Sequence, residues 1–365
     1  MKKVAIYLAL LFFWQSLNAQ SQIPNDADLK KMIGKMLIVG FDDESIDENS
    51  KIVQQIQKYE LGGVILFDRH FKDRSKIKNI SSPEQLKTLT TALRTFAKKP
   101  LLISVDQEGG KVARLKPAYG FEATPSAKRV SEMDEYMAKN VYNSLAKTLT
   151  YSGINCNFAP VVDLSLNPKN SVIVGLDRSY SSSASEVVKY SKIFIDAQSA
   201  KHIISVAKHF PGHGSSLGDS HEGFVDISKT WSRVELEPYK ELIDAKILDM
   251  VMTAHVFNSQ LDEKYPATLS YSVNTKLLRD EMNFKGVIVS DDLQMGAILK
   301  HYSLEEIVKL TINAGVDMLL FGNQLATQDI DELVELIFRS IKSGDISYDR
   351  ILESNKRVDL LYKNL

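Results

Sequence analysis

The sequence predicts an α/β fold of the (β/α)8 TIM-barrel type, organised as a single domain over residues 20–365. Two observations carry that expectation. Short, near-continuously apolar, β-branched runs recur eight times, as parallel strands covered on both faces should. Between them lie segments of helical periodicity, several opened by a capping serine. The strand runs fall at Met36–Phe41, Gly62–Phe67, Leu101–Asp106 and Asn155–Asp163, then at Ile204–Phe210, Asp249–Val256, Gly286–Asp291 and Asp317–Gly322. Helices are expected at Pro83–Lys98, Glu132–Thr150, Glu186–Ala200, Glu235–Ala245 and Leu304–Ala314. Ser82 and Ser303 are placed to cap the first and last of these. A doubly wound open sheet is the competing arrangement, but no G-x-G-x-x-G follows any of the strand runs.

Composition narrows the class. The 365 residues include 45 Lys+Arg against 46 Asp+Glu, with 44% hydrophobic and 25% charged residues. These proportions exclude a disordered chain and a polytopic membrane protein. A net charge of −1 leaves no positive excess for nucleic-acid phosphates. The single cysteine, Cys156, cannot form an internal disulfide or a Cys-rich zinc site, and its apolar setting marks it as a small buried hydrophobe. Lys2 and Lys3, the apolar run Val4–Trp14 and the sequence Leu17-Asn18-Ala19 have the three-part layout of a signal peptide over residues 1–19. The run is too short to span a bilayer, so the expectation is export, periplasmic or extracellular, without stable membrane insertion. A buried N-terminal helix is the alternative.

A barrel builds its site at the C-terminal ends of its strands. Here those ends carry Asp68 and Arg69, Asp106, Asp163, Lys208 and His209, His255, and Asp291 with Asp292. Strand bodies carry almost no charge, so the ionisable groups converge on one rim.

The segment A-K-H-F-P-G-H-G-S-S-L-G-D-S-H, residues 207–221, is the strongest local signal. Pro211, Gly212, Gly214 and Gly218 impose an irregular loop, which closes on Asp219-Ser220-His221. In extended backbone, positions i and i+2 face the same side, so Asp219 could hold one ring nitrogen of His221 and leave the other to pass a proton. A solvated loop histidine is the plain alternative.

The segment G-V-I-V-S-D-D-L-Q-M, 286–295, ends a buried strand in two adjacent carboxylates whose side chains should diverge. Asp291 suits an ionised nucleophile, and Asp292 suits a helix N-cap. In S-V-D-Q-E-G-G-K-V-A-R-L, 104–115, Gly109-Gly110 turns the chain between Asp106 and Arg114. Carboxylate plus guanidinium grips sugar hydroxyls well, and a structural ion pair is the alternative.

These segments resemble the glycoside hydrolase family 3 β-N-acetylglucosaminidases in their single-domain barrel form. K-H-F-P-G-H-G followed after four residues by D-S-H, V-D-Q-E-G-G and S-D-D-L-x-M carry the resemblance. So do G-G-V-I-L-F at 62–67, F-A-P-V-V-D-L at 158–164, D-R-S-Y at 177–180 and P-A-T-L-S at 266–270. The resemblance implies a retaining hydrolase acting through a covalent glycosyl-enzyme on terminal N-acetylglucosamine of peptidoglycan fragments or chitin oligosaccharides. It implies Asp291 as nucleophile, His221 as acid/base and Asp219 as its partner, replacing the second carboxylate of most glycosidases. It also implies sugar binding by Asp106, Arg114, Arg178, Lys208 and His209, with no metal or organic cofactor. Lys111 stands where an arginine is usual, and Ser215-Ser216 where Asp-Thr is more common.

Three other readings stay open at this level. A phosphorylase is one, since a histidine acid/base tolerates an anionic acceptor. A metal-dependent barrel using His209, His213, His221 and an aspartate is another. The third is a sugar-binding barrel without chemistry. Were His221 not the acid, Glu222 and Glu108 would be the carboxyl groups left for that role.

Overall fold

The computed structural model describes residues 23–218 and 223–365. The signal-peptide expectation over residues 1–19 therefore lies outside the described residues. Eight strands form one all-parallel sheet: β1 (Leu37–Gly40), β2 (Gly63–Leu66), β3 (Leu102–Val105), β4 (Cys156–Asn157), β5 (Ile204–Phe210), β7 (Met250–Thr253), β9 (Val287–Ser290) and β10 (Leu319–Phe321). Two further short strands, β6 (Val225–Asp226) and β8 (Val256–Phe257), pair with each other outside it. Neighbours in the sheet follow chain order, and β10 pairs back onto β1 with Leu37 opposite Leu319. The remaining seam closes through a Val289–Met318 bridge, with the Ser290 amide donating to the Met318 carbonyl at 3.0 Å. This is the (β/α)8 barrel that the eight apolar runs predict.

Alternation along each strand divides the core in two. Ile38, Ile65, Leu102, Cys156, Ile204, Val206, Met250 and Val287 fill the barrel interior. Leu37, Val39, Val64, Ile103 and Val251 point outward against the helices. Cys156 is fully buried, and burial pushes its thiol pKa up, so it is a packing residue. The helix Pro83–Ala97 begins where Ser82 accepts from the Gln85 amide, and Leu304–Asn313 begins with a reciprocal Ser303–Glu306 capping box. The C-terminal helix Tyr348–Leu361 sends Val358 and Leu361 into the interior cluster. Just beyond it, the Tyr362 hydroxyl donates to the Gly62 carbonyl at 2.8 Å, and Asn364 donates to Asp249 at 2.9 Å. Both acceptors precede strands, so this helix closes the floor and leaves the opposite end as the mouth.

Three elements depart from the sequence expectation. The run Asn155–Asp163 holds only the two-residue β4, because Pro160 has no amide for the ladder. Pairing resumes as a single bridge between Val161 and Lys208. The run Asp249–Val256 divides between β7 in the barrel and β8 in the small outer sheet, with His255 between them. The expected helix from Glu235 starts as a 3-10 turn, Arg233–Leu236, and becomes α-helical over Glu237–Asp244, where Pro238 occupies the first turn. Among the described residues no helix is long and apolar enough to cross a membrane.

Candidate active site

A cavity of about 330 Å³ opens at the mouth, lined by Asp68, Asp106, Lys111, Arg114, Lys116, Asp291 and Asp292 over an apolar base of Phe67, Phe158, Met252 and Leu320. Residues from the ends of β2, β3 and β9 meet there, so the convergence on one rim is real.

The β3 end is built by its turn. Gly109 and Gly110 both have positive φ, and a side chain at Gly109 would collide with the Pro125 carbonyl. Gln107 accepts from the Arg114 and Leu115 amides at 2.8 and 2.9 Å, which folds Arg114 back alongside Asp106. Arg114 Nη2 donates to Asp106 Oδ2 at 3.4 Å, and Lys208 Nζ donates to Asp106 Oδ1 at 2.8 Å. The Arg114 Nε is buried and has no hydrogen-bond partner among the described residues.

Behind this wall lies a second carboxylate. Arg178 donates to both oxygens of Glu108, at 2.7 and 2.8 Å, and Lys208 Nζ stands 2.7 Å from Glu108 Oε1. Burial alone would raise the Glu108 pKa, but Arg178 and Lys208 outweigh it and hold the carboxyl well below the usual range. Burial and Arg178 would lower Lys208, but Asp106 and Glu108 outweigh them and raise it. Glu108 is therefore held ionised, which removes it as a proton donor at neutral pH. Motif reading named Glu108, Arg178 and Lys208 but missed that they pair with one another. The signal was present in V-D-Q-E-G-G, where the acidic residue two beyond Asp106 can reach the same lysine.

His209 and Asp163 form a fully engaged pair. Asp163 Oδ2 lies 2.7 Å from His209 Nδ1, and Arg178 Nη2 lies 3.2 Å from His209 Nε2. A guanidinium can only donate, so Nε2 accepts and Nδ1 carries the hydrogen. Both ring nitrogens are thus taken, one of them by a cation, which is incompatible with the metal-ligand role considered for His209. His213 is pushed down to about 4, first by burial and then by His209, and its Nδ1 bonds the Ser216 hydroxyl at 2.8 Å. Arg178, Lys208 and His209 are not among the cavity-lining residues. They connect to the cavity through Asp106 and Glu108.

At the end of β9 the two carboxylates diverge. Asp292 Oδ1 accepts from the Gln294 and Gly322 amides at 3.0 and 3.2 Å. It does not cap a helix, because the next helix starts only at Gly296, with Met295 in the cap position. Asp291 receives the Asp292 amide on Oδ1 at 2.8 Å and lines the cavity. His255 Nε2 lies 2.9 Å from the Asp292 carbonyl and so steadies this turn from β7. Asp219, His221 and Glu222 lie outside the described residues.

The profile of the glycosyl hydrolase family 3 N-terminal domain matches residues 28–361. Beta-hexosaminidase A of Pseudoalteromonas piscicida is 32% identical over 342 residues, 86% of this chain but only 55% of that protein. A beta-hexosaminidase of Tolumonas auensis is 37% identical over 272 residues, 73% of this chain and 77% of its own length. The structure of a glycoside hydrolase family 3 beta-N-acetylglucosaminidase from Paenibacillus sp. FPU-7 superposes with a TM-score of 0.82 at 32% identity, covering 92% of this chain and 62% of that one. With nearly the whole barrel inside the matched region, the chain belongs to glycoside hydrolase family 3, as its N-terminal-type barrel domain.

Proposed function

We propose that this protein is an exported, retaining exo-β-N-acetylglucosaminidase acting on peptidoglycan-type fragments. The observation that carries the reading is Asp291 in one cavity with Asp106 and Arg114. Similarity to beta-hexosaminidases over most of the chain supports the sugar class. In this mechanism Asp291 attacks the anomeric carbon while His221 protonates the departing glycosidic oxygen. Water, deprotonated by His221, then cleaves the glycosyl ester, and Asp219 orients the imidazole in both steps. Asp106 and Arg114 hold sugar hydroxyls, Lys208 fixes Asp106, and Arg178 and His209 complete the support.

The outer cavity favours an anionic aglycone over a neutral chitin chain. Arg69, Arg74 and Lys111 line it, and among the described residues none of the three forms an ion pair with a carboxylate. Arg69 lies over the Tyr119 ring, Arg74 lies over the Phe71 ring, and Lys111 donates to the Gly175 carbonyl. A muropeptide brings carboxylates to such a rim.

The test compares a nitrophenyl N-acetylglucosaminide, chitobiose and a muropeptide disaccharide, with and without phosphate. Hydrolysis of all three is expected, with kcat/KM for the muropeptide highest and falling with salt. Sugar phosphate as the product would make the protein a phosphorylase, and absence of turnover would leave a binding barrel. His221→Ala should give a burst of nitrophenol followed by a slow steady rate, and should impair the disaccharides far more than the aryl substrate.

A further inference from the structure

The loop after β5 passes over a buried acid that the mechanism above does not use. Glu235 is 1% exposed and sits in the 3-10 turn that follows the loop in the chain. Its Oε2 accepts from the Gly214 amide at 3.1 Å. Four residues earlier, Trp231 Nε1 donates to the Pro211 carbonyl at 3.0 Å. A side chain at Gly212, where φ is +121°, would strike Glu235 Cβ and Oε2, so the glycine makes room for this carboxyl. From the other side, Asp163 accepts the His213 amide at 2.8 Å, and Asn170 donates to the His213 carbonyl at 2.8 Å. Residues 211–214 are thus clamped between two carboxyl groups, and the chain then runs through Gly218 into Asp219–Glu222.

We propose that Glu235 is a positioning residue for the loop that carries the acid/base pair, gripping its backbone from below. The inference rests on the reading of Asp219 and His221 given above. The second oxygen, Oε1, has no hydrogen-bond partner among the described residues, so an anion there is poorly compensated. Burial chiefly, with the charge of Asp163 added, pushes the Glu235 pKa up to about 7, against the opposing pull of Ser215 and the Gly214 amide. The other titratable group acting with it is Tyr239 on the next helix, a buried phenol raised by burial and by both carboxylates. Asp163 is held low by His209 despite its burial, so the two carboxyls flanking the loop are driven apart in pKa. Neutral Glu235 holds the loop closed at no charge cost. Ionised Glu235, though a stronger acceptor for Gly214 and Ser215, is a buried anion opposite Asp163 and favours an opened loop where water reaches it.

Two variants test this, Glu235→Gln and Glu235→Ala. Glutamine keeps the acceptor for Gly214 and stays neutral at every pH. It should preserve kcat at pH 6 and abolish the parent's extra fall between pH 6 and 8.5. Alanine should lower kcat by ~10-fold at pH 6 through the unpaired Gly214 amide, with KM changed far less because Asp106 and Arg114 are untouched. Hydrogen exchange over residues 205–230, corrected for the intrinsic pH dependence, reads the loop without turnover. Parent protein should exchange faster at pH 8.5 than at pH 6, and E235Q equally at both. An E235Q variant that keeps the parent's pH dependence in exchange, or a folded E235A with unchanged kcat, overturns the proposal. A parent that hydrolyses nothing overturns the functional reading alone, because exchange still decides the role of Glu235.

Discussion

At the floor of the barrel, Asp317 is fully buried and both its oxygens are taken. Arg350 and Arg357 reach Oδ1 at 2.7 and 3.0 Å, Arg279 and the Ile288 amide reach Oδ2, and Ser354 adds a bond at 3.0 Å. At the mouth, Glu108 is nearly as deep and just as tightly held by Arg178 and Lys208. The floor ends there, sealed under the C-terminal helix. At the mouth the network continues outward to Asp106 and Arg114, whose side chains keep 18% and 23% exposure and meet at only 3.4 Å. Similar ion-pair chemistry therefore locks one end and equips the other. What separates them is the cavity: Asp106 and Arg114 line it, whereas Asp317 meets only its arginines, the Ile288 amide and Ser354.

Substitutions at the two ends should separate chemistry from stability. The largest effect is expected at Asp291→Asn, which keeps the shape but cannot form the glycosyl ester. Turnover should fall by at least ~10³-fold, about 4 kcal/mol in the barrier, with the melting temperature unchanged. Asp292→Ala should act the other way, loosening the Gln294 and Gly322 contacts and lowering stability more than turnover. Reversal of these two outcomes would exchange their roles.

Next comes Asp317→Ala. It leaves three guanidinium groups around an empty position, and urea denaturation should show a loss of ~3–5 kcal/mol. KM for the aryl glycoside should not move. A floor variant that altered KM at full stability would break the distinction between the two ends.

Glu108→Gln should show both behaviours, since it frees Arg178 and Lys208 yet lies behind the cavity wall. A fall in kcat/KM of ~10–100-fold is expected together with measurable destabilisation. Kinetics without destabilisation would move Glu108 into direct ligand contact.

The smallest effect lies in the pH dependence of stability. Glu108 and Asp317 are both held below their unfolded values by arginine and lysine partners that outweigh burial. Their contribution is present above about pH 4 to 4.5 and is lost as pH falls below it. Glu235 is shifted the other way, so its contribution is present below that range and is lost as pH rises toward 7. Urea midpoints should therefore fall on the acid side for the parent. In E235Q the decline between pH 5 and 8 should be shallower.

Much of this was legible in residue order. Eight apolar runs announce eight strands because a strand buried on both faces has no polar positions to spare. Serine ahead of a helical stretch marks its start because the hydroxyl meets an amide that the helix leaves open. Asp106, Arg114 and Asp291 could be placed at the mouth because barrel strands all point the same way.

What residue order could not supply is which neighbours meet across the chain. Glu108 and Arg178 are 70 residues apart, and Asp317 lies 38, 33 and 40 residues from its three arginines. Local patterning carries the period of a strand or helix but not the partner of a charge. Glu235 makes the point within one turn: its sequence marks a helix start, while its burial under Gly212 and Gly214 makes it a titrating group. The strand count, the orientation of the rim and the chemical types at it follow from sequence, since they depend on local periodicity and a shared strand direction. The ring of arginines around Asp317, the meeting of Asp106 and Arg114 at the cavity and the divergence of Asp163 from Glu235 follow only from packing, which sets solvent exposure and charge separation at each group.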